Sequence, residues 1–295
     1  MTTRALVLGG GGPVGIAWEA GLLAGLARRG VDLGLADLIV GTSAGSFVGS
    51  QLAMGRKVED LAAAILAEAD RPRPTSSGGT RPAPNVTWLF EKMQEARGGR
   101  RDAKEVRAEI GALALAAQTV SEEDFIRSFG RSLSELPDHA WPDRGFACTA
   151  VDAETGEFVL WNAAAKVGLA RAVASSCSVP GIFPPITLNG RRYIDGGMRS
   201  ATNADVARGH DVTIVVALRI AAGAGPAADA FRAQIDGEMA VLREQGRRAE
   251  LLLPDEASLA AFGPNLMDAS HRPAAARAGL AQGEATAAAL RGVWG

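Results

Sequence analysis

Residues 41–45 combine a serine and two glycines at a spacing that suits nucleophilic chemistry. They read Gly-Thr-Ser-Ala-Gly, so Gly41 and Gly45 flank Ser43 in the pattern Gly-x-Ser-x-Gly. In enzymes with a serine nucleophile, this pattern forms a sharp turn between a strand and a helix, which exposes the hydroxyl. Apolar residues 38–40 precede the turn and an apolar helical pattern follows it. We therefore expect Ser43 to be a nucleophile, with an ordinary glycine-serine turn as the alternative.

A second glycine-rich turn, Gly-Gly-Gly-Gly-Pro-Val-Gly, spans residues 9–15. Gly10, Gly12 and Gly15 match the dinucleotide-binding pattern Gly-x-Gly-x-x-Gly, which also needs an acid at the end of the next strand. Asp32 has about the right count but precedes that strand, so nucleotide binding is disfavoured. A phosphate-binding P-loop is excluded because no Gly-Lys-Ser/Thr follows.

The favoured interpretation of the glycine turn is an oxyanion hole. Backbone N–H groups at a helix N-terminus can stabilise the negative charge that develops on an attacked carbonyl oxygen. We assign this role to Gly10, Gly11 and Gly12, together with Ala44, whose N–H follows the nucleophile. Both turns follow strands of one predicted parallel sheet, so they would share one edge of it.

The base that activates the serine is predicted to be a carboxylate. Asp195 ends a short strand pattern and enters a turn with Gly196 and Gly197. A carboxylate within hydrogen-bond reach of a serine can take its proton directly, although Asp-Gly-Gly is also a common turn. The chain has three histidines, none in a recognisable catalytic pattern: His139, His210 and His271.

The elements that would position these residues are strands and helices that alternate along the chain. Apolar runs at residues 5–8 and 38–40 are typical of buried strands, and helical patterns follow each of them at residues 15–29 and 44–54. Strand–helix alternation of this kind predicts a parallel sheet with right-handed crossovers.

The remaining chain predicts a helical insertion and then further strands and helices. Residues 60–140 form the insertion, and its front edge, residues 71–84, is rich in Pro, Gly and Ser. Beyond it the patterns predict a hairpin at 146–151 and 157–161, a helix at 166–175, strands at 192–194, 212–218 and 250–253, and helices at 227–246 and 274–290. The sequence contains no recognisable linker or internal repeat, so residues 1–295 are expected to form one domain. Its motif-bearing core would span about residues 4–205, and residues 206–295 would add C-terminal strands and helices.

Composition excludes several classes of protein. With 47% hydrophobic and 22% charged residues over 295 positions, the chain is globular rather than fibrous or disordered. Its net charge of −2 argues against nucleic acid as a partner.

The two cysteines, Cys148 and Cys177, have neither disulfide-framework nor zinc spacing, so no metal is predicted. No apolar segment is long enough for a signal peptide or a membrane span, and a cytoplasmic location is expected.

Taken together, the motifs give the chain a family resemblance. Residues 9–15, 41–45 and 195–197, in this order, resemble the patatin-like phospholipases, and the run from Ala174 to Pro185 is similar to the segment that precedes the aspartate in that family. The resemblance covers about residues 4–205. It implies a three-layer α/β/α fold with a mostly parallel sheet, and a catalytic Ser43–Asp195 dyad. It also implies hydrolysis of lipid acyl esters, of the phospholipase A or lysophospholipase type, without metal or cofactor. Trp88, Leu89 and Phe90, after the Pro-rich segment, are expected to pack in the core of the insertion, with an apolar lip over the site or transient contact with a membrane surface as the alternative.

One position departs from that family. Its glycine motif usually carries Arg or Lys where this chain has Val14, which favours a neutral, lysolipid or small acyl ester over a phospholipid. Two alternatives stay open. One is an α/β-hydrolase with a Ser-Asp-His triad, which would need His210 or His271 near Ser43. The other is a non-catalytic protein that binds a nucleotide or a lipid.

Overall fold

The computed structural model describes residues 2–70, 87–97, 101–137, 140–218 and 226–295. Eight strands are found there: β1 (Arg4–Leu8), β2 (Leu38–Gly41), β3 (Gly145–Asp152), β4 (Phe158–Asn162), β5 (Ile186–Leu188), β6 (Arg191–Asp195), β7 (Val212–Val216) and β8 (Arg248–Leu252). The helices are α1 (Gly12–Arg28), α2 (Ala44–Ala53), α3 (Val58–Leu66), α4 (Thr87–Arg97), α5 (Ala103–Ala116), α6 (Glu122–Ser128), α7 (Arg131–Ser134), α8 (Leu169–Ser176), α9 (Pro226–Leu242), α10 (Glu256–Phe262) and α11 (Arg272–Trp294).

The strands form one mixed sheet in the order β5-β6-β3-β2-β1-β7-β8. The five strands from β3 to β8 along this order are mutually parallel, as their registers show. β6 pairs antiparallel with β3, β5 pairs antiparallel with β6, and β4 pairs antiparallel with β3 off the main path. The carboxyl ends of the parallel strands therefore lie along a single edge, where the two glycine turns leave β1 and β2.

Alternation along the strands gives the sheet two covered faces. Leu6 and Leu8 of β1 belong to a core cluster shared with α1, α2, α8 and α11. Ala5 and Val7, which point the other way, pack in a cluster with α9, and β6 meets α4 and α5 in a third cluster. Helices thus cover both faces, which confirms the three-layer α/β/α fold with a mostly parallel sheet.

Most sequence-predicted elements occur within a few residues of their expected bounds. Between β2 and β3 the regular elements found among the described residues are all helical, from α2 to α7, and Ser121 caps α6 by accepting a hydrogen bond from the Asp124 N–H at 3.1 Å. The sequence analysis missed β5 and α10, both of which are short. Residues 71–84 and His139 lie outside the described residues. Within the described ranges, no helix combines the length and apolar character that crossing a bilayer requires.

Candidate active site

Ser43 occupies a strained backbone position at the turn between β2 and α2. Its φ of 52° and ψ of −116° lie outside the regions that a residue with a side chain normally adopts. At Gly45 a side chain would overlap the carbonyl oxygen of Leu8, so the turn packs directly against β1. The geometry is that of the predicted strand–turn–helix elbow, and 7% of Ser43 is exposed.

Hydrogen bonds from the neighbouring helices hold the backbone of Ser43 in this conformation. Its N–H donates to Ser176 Oγ at 3.0 Å. Its carbonyl oxygen accepts from Ser46 Oγ at 2.7 Å and from Cys177 Sγ at 3.1 Å. Burial raises the pKa of the Cys177 thiol, so this cysteine acts as a neutral donor. Sequence reasoning did not identify Ser46, Ser176 or Cys177 as supports of this turn.

The register of β3 explains why Asp195 lies beside the serine turn. β2 pairs with the first half of β3, and its last residue, Gly41, is opposite Cys148. β6 pairs with the second half, and Asp195 is opposite Ala150. Since β4 occupies the other side of these same β3 residues, β2 and β6 share one side of β3. They meet end to end on either side of Thr149.

A buried polar network fixes this meeting point. Thr149 Oγ1 lies 2.8 Å from Thr42 Oγ1. The Asn203 side-chain amide donates to Thr42 Oγ1 at 3.1 Å and to the carbonyl oxygen of Gly196 at 3.2 Å. The network therefore joins the turn that follows β2 to the turn that follows β6. Neither Thr149 nor Asn203 belongs to a motif that sequence analysis recognises, because their role depends on contacts between distant segments.

Asp195 is buried, with 2% of its surface exposed. Its Oδ1 accepts a hydrogen bond from the Gly197 N–H at 2.7 Å. Burial raises the pKa of Asp195 to about 7, and the Gly197 N–H and the nearby Ser43 hydroxyl oppose that rise. Even so, Oδ2 has no partner in ordinary hydrogen-bond geometry among the described residues. One oxygen of this buried carboxylate, close to the Ser43 hydroxyl, is therefore left without a hydrogen bond.

The glycine turn lies directly against Ser43 and opens α1. Gly12 has a φ of +58°, the left-handed conformation that glycine tolerates. The N–H groups of Gly11, Gly12 and Ala44 donate to no acceptor among the described residues, as expected at helix N-termini. The Gly10 N–H, in contrast, donates to the carbonyl oxygen of Ala201 at 2.8 Å. Gly10 was expected to be an oxyanion donor, but in this geometry its only N–H is already engaged.

The other motif glycines support these turns. Gly15, in the first turn of α1, donates its N–H to the carbonyl oxygen of Gly11 at 2.8 Å. Gly41 and Gly196 each lie so close to a neighbouring segment that a side chain would overlap it, namely α2 for Gly41 and Thr149 for Gly196.

Ser43 opens into a cavity of about 380 Å³. Four phenylalanines line one part of it: Phe47, Phe125, Phe129 and Phe183. Their rings stack in series, with centroids 4.3 Å apart for Phe125 and Phe183 and 5.9 Å apart for Phe47 and Phe129. Gly12 and Ala44 also line the cavity, so these two residues and the serine share one largely apolar space.

The remaining candidates are not brought to this cavity. His210 lies against the carbonyl oxygen of Ala207, and His271 packs beside Gly263; neither lines the cavity. Asp32 caps the turn before β2, so it lies at the wrong end of that strand for a nucleotide ribose. Leu89 is buried against α5, which agrees with the favoured packing role. In the described part of the chain, no three His, Cys, Asp or Glu side chains cluster as metal ligands would.

The sequence was compared with models of known protein families. The model of the patatin-like phospholipase family matches residues 6–208, more than half of the 295 residues. The chain is a member of the patatin-like phospholipase family. The expected family is therefore confirmed, and membership supports lipid hydrolysis as its general class of activity. In this family member Val14 is fully buried, and its N–H donates to the carbonyl oxygen of Leu266 at 3.2 Å.

Two solved structures are similar to this chain. The crystal structure of VipD from Legionella pneumophila aligns with 98% of this chain and 67% of its own, at 14% identity and a TM-score of 0.49. That of the type III effector protein ExoU aligns with 96% of this chain and 54% of its own, at 18% identity and a TM-score of 0.36. This chain thus spans about half to two thirds of these proteins. The fold itself is defined by the sheet order and layers described above.

Proposed function

We propose that this family member is a serine acyl hydrolase that cleaves carboxylic esters of lipids through a dyad of Ser43 and Asp195. The observation that carries the proposal is the meeting of β2 and β6 beside Thr149. There, a strained serine and a buried carboxylate with an unpartnered oxygen lie next to each other. A serine that lines an apolar cavity, with a base at its side, has what nucleophilic catalysis requires.

In the proposed reaction Ser43 Oγ attacks the ester carbonyl carbon while its proton passes to Asp195 Oδ2. The carbonyl oxygen becomes an oxyanion, which accepts hydrogen bonds from the N–H groups of Gly11, Gly12 and Ala44. Collapse of this intermediate breaks the ester C–O bond, and the leaving alcohol takes the proton back from Asp195. Water then attacks the acyl-serine by the same route, which releases the acid and restores both side chains.

The surroundings of Asp195 suit this role. A base is most effective when its pKa lies near the working pH, and burial has moved the pKa of Asp195 to about 7. Gly197 holds the other carboxylate oxygen, so Oδ2 is oriented. The stacked phenylalanines offer an apolar surface to the acyl chain. The cavity of about 380 Å³ lies at the lower end of the usual range for ligand pockets, so we expect it to take one acyl chain.

The proposal is tested by replacing each member of the dyad. We expect Ser43→Ala and Asp195→Asn each to lower kcat for ester hydrolysis by at least about a thousandfold, because neither acts without the other. Rates are measured with nitrophenyl esters, monoacylglycerols and lysophospholipids. An uncharged fluorophosphonate is expected to label Ser43 in the unchanged protein, with the site identified by mass spectrometry.

Ser50→Ala provides the matched control, because Ser50 is a buried serine of the same helix that bonds to the carbonyl oxygen of Phe47 and does not line the cavity. It should retain both activity and labelling. Near-normal activity of folded Asp195→Asn would rule out the dyad. Failure of Ser43 to react with the probe would rule out a nucleophilic serine.

A further inference from the structure

Arg272 is unusual among the residues around the cavity. Of the described residues that line it, Arg272 alone carries an ionised side chain. It begins α11, and therefore lies beyond residues 6–208, the span matched by the family model. Its side chain is about one-fifth exposed, so most of it is shielded from water at the place where Arg272 lines the cavity.

The segment that carries Arg272 also contacts the glycine turn. The carbonyl oxygen of Leu266 accepts the Val14 N–H at 3.2 Å. Met267 lies against Gly12, close enough that a side chain there would meet its sulfur. Arg272 Nη1 lies 3.4 Å from the carbonyl oxygen of Pro13. This segment therefore forms the wall of the cavity next to the proposed oxyanion donors.

Glu68 balances the charge of Arg272. Its two carboxylate oxygens accept from Nε at 2.9 Å and from Nη2 at 3.0 Å. This two-pronged arrangement is the strong geometry for an arginine and a carboxylate. The remaining nitrogen, Nη1, donates to the carbonyl oxygen of Pro13, a residue that lines the cavity. The wall therefore presents N–H donors but little net charge.

The two sides of the cavity differ in polarity. The stacked phenylalanines from α2, α6 and the loop after α8 form an apolar side. The side that contains Pro13, Met267 and Arg272 offers the only ionised group among the described lining residues. An ester held at Ser43 has an apolar acyl chain and a more polar alcohol part. The acyl chain would be stabilised against the rings, because burial of polar groups there would leave them without hydrogen bonds.

From these contacts we infer that Arg272 and Glu68 form the subsite for the leaving alcohol and that their charge balance selects uncharged, hydroxyl-bearing alcohols over phosphate-bearing ones. The inference rests on the proposed function. Arg272 Nη1 donates to an oxygen of the leaving group. Glu68 cancels the attraction that a lone guanidinium would have for a phosphate and repels a second negative charge. The pair thus favours glycerol-type esters.

Two substitutions with opposite expected effects test this subsite. The substrates are a short-chain monoacylglycerol and the acylglycerol phosphate with the same acyl chain, both below their aggregation concentrations. Glu68→Gln frees the guanidinium, so kcat/KM for the phosphate relative to the neutral ester should rise roughly tenfold, mainly through KM. Arg272→Gln leaves an uncompensated carboxylate, and the same ratio should fall roughly tenfold. The unchanged protein should prefer the neutral ester.

Glu284→Gln is the matched control. Glu284 pairs with Arg28 at 3.5 Å on the outer surface of α1 and α11, so its loss alters the net charge as Glu68→Gln does. It should leave the substrate ratio unchanged. Equal shifts in Glu68→Gln and Glu284→Gln, or no shift in either cavity variant, would overturn the inference.

Fluorophosphonate labelling of Ser43 separates this failure from that of the proposed function. If Ser43 is labelled and both esters are cleaved but the ratios do not move, the subsite is wrong and the hydrolase stands. If the unchanged protein shows neither labelling nor turnover, the proposed function fails and the subsite fails with it.

Discussion

Individual buried acids give this protein its clearest chemical signatures. Asp195 is 2% exposed and Glu19, in α1, is fully buried. Burial raises the pKa of Asp195 to about 7 and that of Glu19 well above its ordinary value. Both oxygens of Glu19 lack a hydrogen-bond partner among the described residues, and burial is the main cause of the raised pKa of Glu19. Asp195, with its pKa near neutrality, can exist in either form.

The pH dependence of activity should follow Asp195. A protonated carboxylic acid cannot accept the serine proton, so kcat/KM should fall about tenfold per pH unit below an apparent pKa near 7. The measurement is hydrolysis of an uncharged ester from pH 5 to 9, where the substrate does not titrate. An activity that stays level down to pH 5 would show that the group acting as base has an ordinary carboxylate pKa.

The pH dependence of stability should carry the same signature with a defined sign. Folded Asp195 holds its proton up to a pKa of about 7, whereas the unfolded side chain loses it near the ordinary aspartate pKa of 3.8. Its contribution is therefore fully present below pH 4 and is lost as the pH rises through 7, by up to about 4 kcal/mol. The asparagine of Asp195→Asn does not ionise, so this pH-dependent loss of stability is absent in that variant.

The free energy of unfolding from urea titrations tests the sign. Relative to the unchanged protein, Asp195→Asn should gain stability between pH 5 and pH 8. Glu19 contributes to both proteins alike, so the comparison isolates Asp195. A difference between the two proteins that is the same at both pH values would contradict the raised pKa.

At the scale of elements, α1 and α11 pack with their backbones in close approach. Gly21 and Gly25 of α1 face the backbone of α11, and Gly279 and Gly283 of α11 face that of α1. A side chain at Gly21 would overlap the carbonyl oxygen of Ala276. This contact positions the start of α11, and with it the wall of the cavity that carries Arg272.

Gly21→Ala should therefore force the two helices apart. Overpacking of this kind costs about 1–3 kcal/mol or more, despite the better helix propensity of alanine. Gly237→Ala, in α9, is the control because open space surrounds that glycine, and it should raise the stability by about 0.5–1 kcal/mol. Denaturant titrations give both values. A stabilised Gly21→Ala protein would contradict the close helix contact.

At the scale of the whole molecule, the first strand is joined to the last helix. Arg4 Nε donates to the carbonyl oxygen of Trp294 at 2.7 Å, and its guanidinium lies 5.7 Å from the centre of that ring. Trp294 Nε1 donates to the carbonyl oxygen of Asp32 at 3.1 Å. The central strand β1 also pairs with β7, which begins after residue 208. The fold therefore depends on residues beyond the span that the family model matches.

Trp294→Ala should destabilise the whole protein. The side chain is 7% exposed, and truncation of a buried tryptophan costs about 3–5 kcal/mol. Leu35→Ala is the control, since Leu35 is 62% exposed and its truncation should change the free energy of unfolding by less than about 0.5 kcal/mol. Equal effects of the two substitutions would show that α11 adds little to the core.

Local signals made much of the fold and the site predictable. The apolar runs of β1 and β2, the glycine turns and the following helices are each specified within about ten neighbouring residues, which is the range over which periodicity and turn chemistry act. The same local patterns singled out Ser43 and Asp195. They also identified the glycine amides as a group, before any pairing of strands was known.

Only the tertiary structure decided which of these groups meet. The register of β2 and β6 on β3 brought Asp195 to Ser43, and the bond from Gly10 to Ala201 removed one predicted donor. Arg272 and Glu68 join the site across 204 residues of sequence. Such contacts depend on strand order and helix packing between distant segments. The sequence by itself determined the reactive groups and their local turns, while long-range packing determined their partners, because no local pattern encodes a distance across the fold.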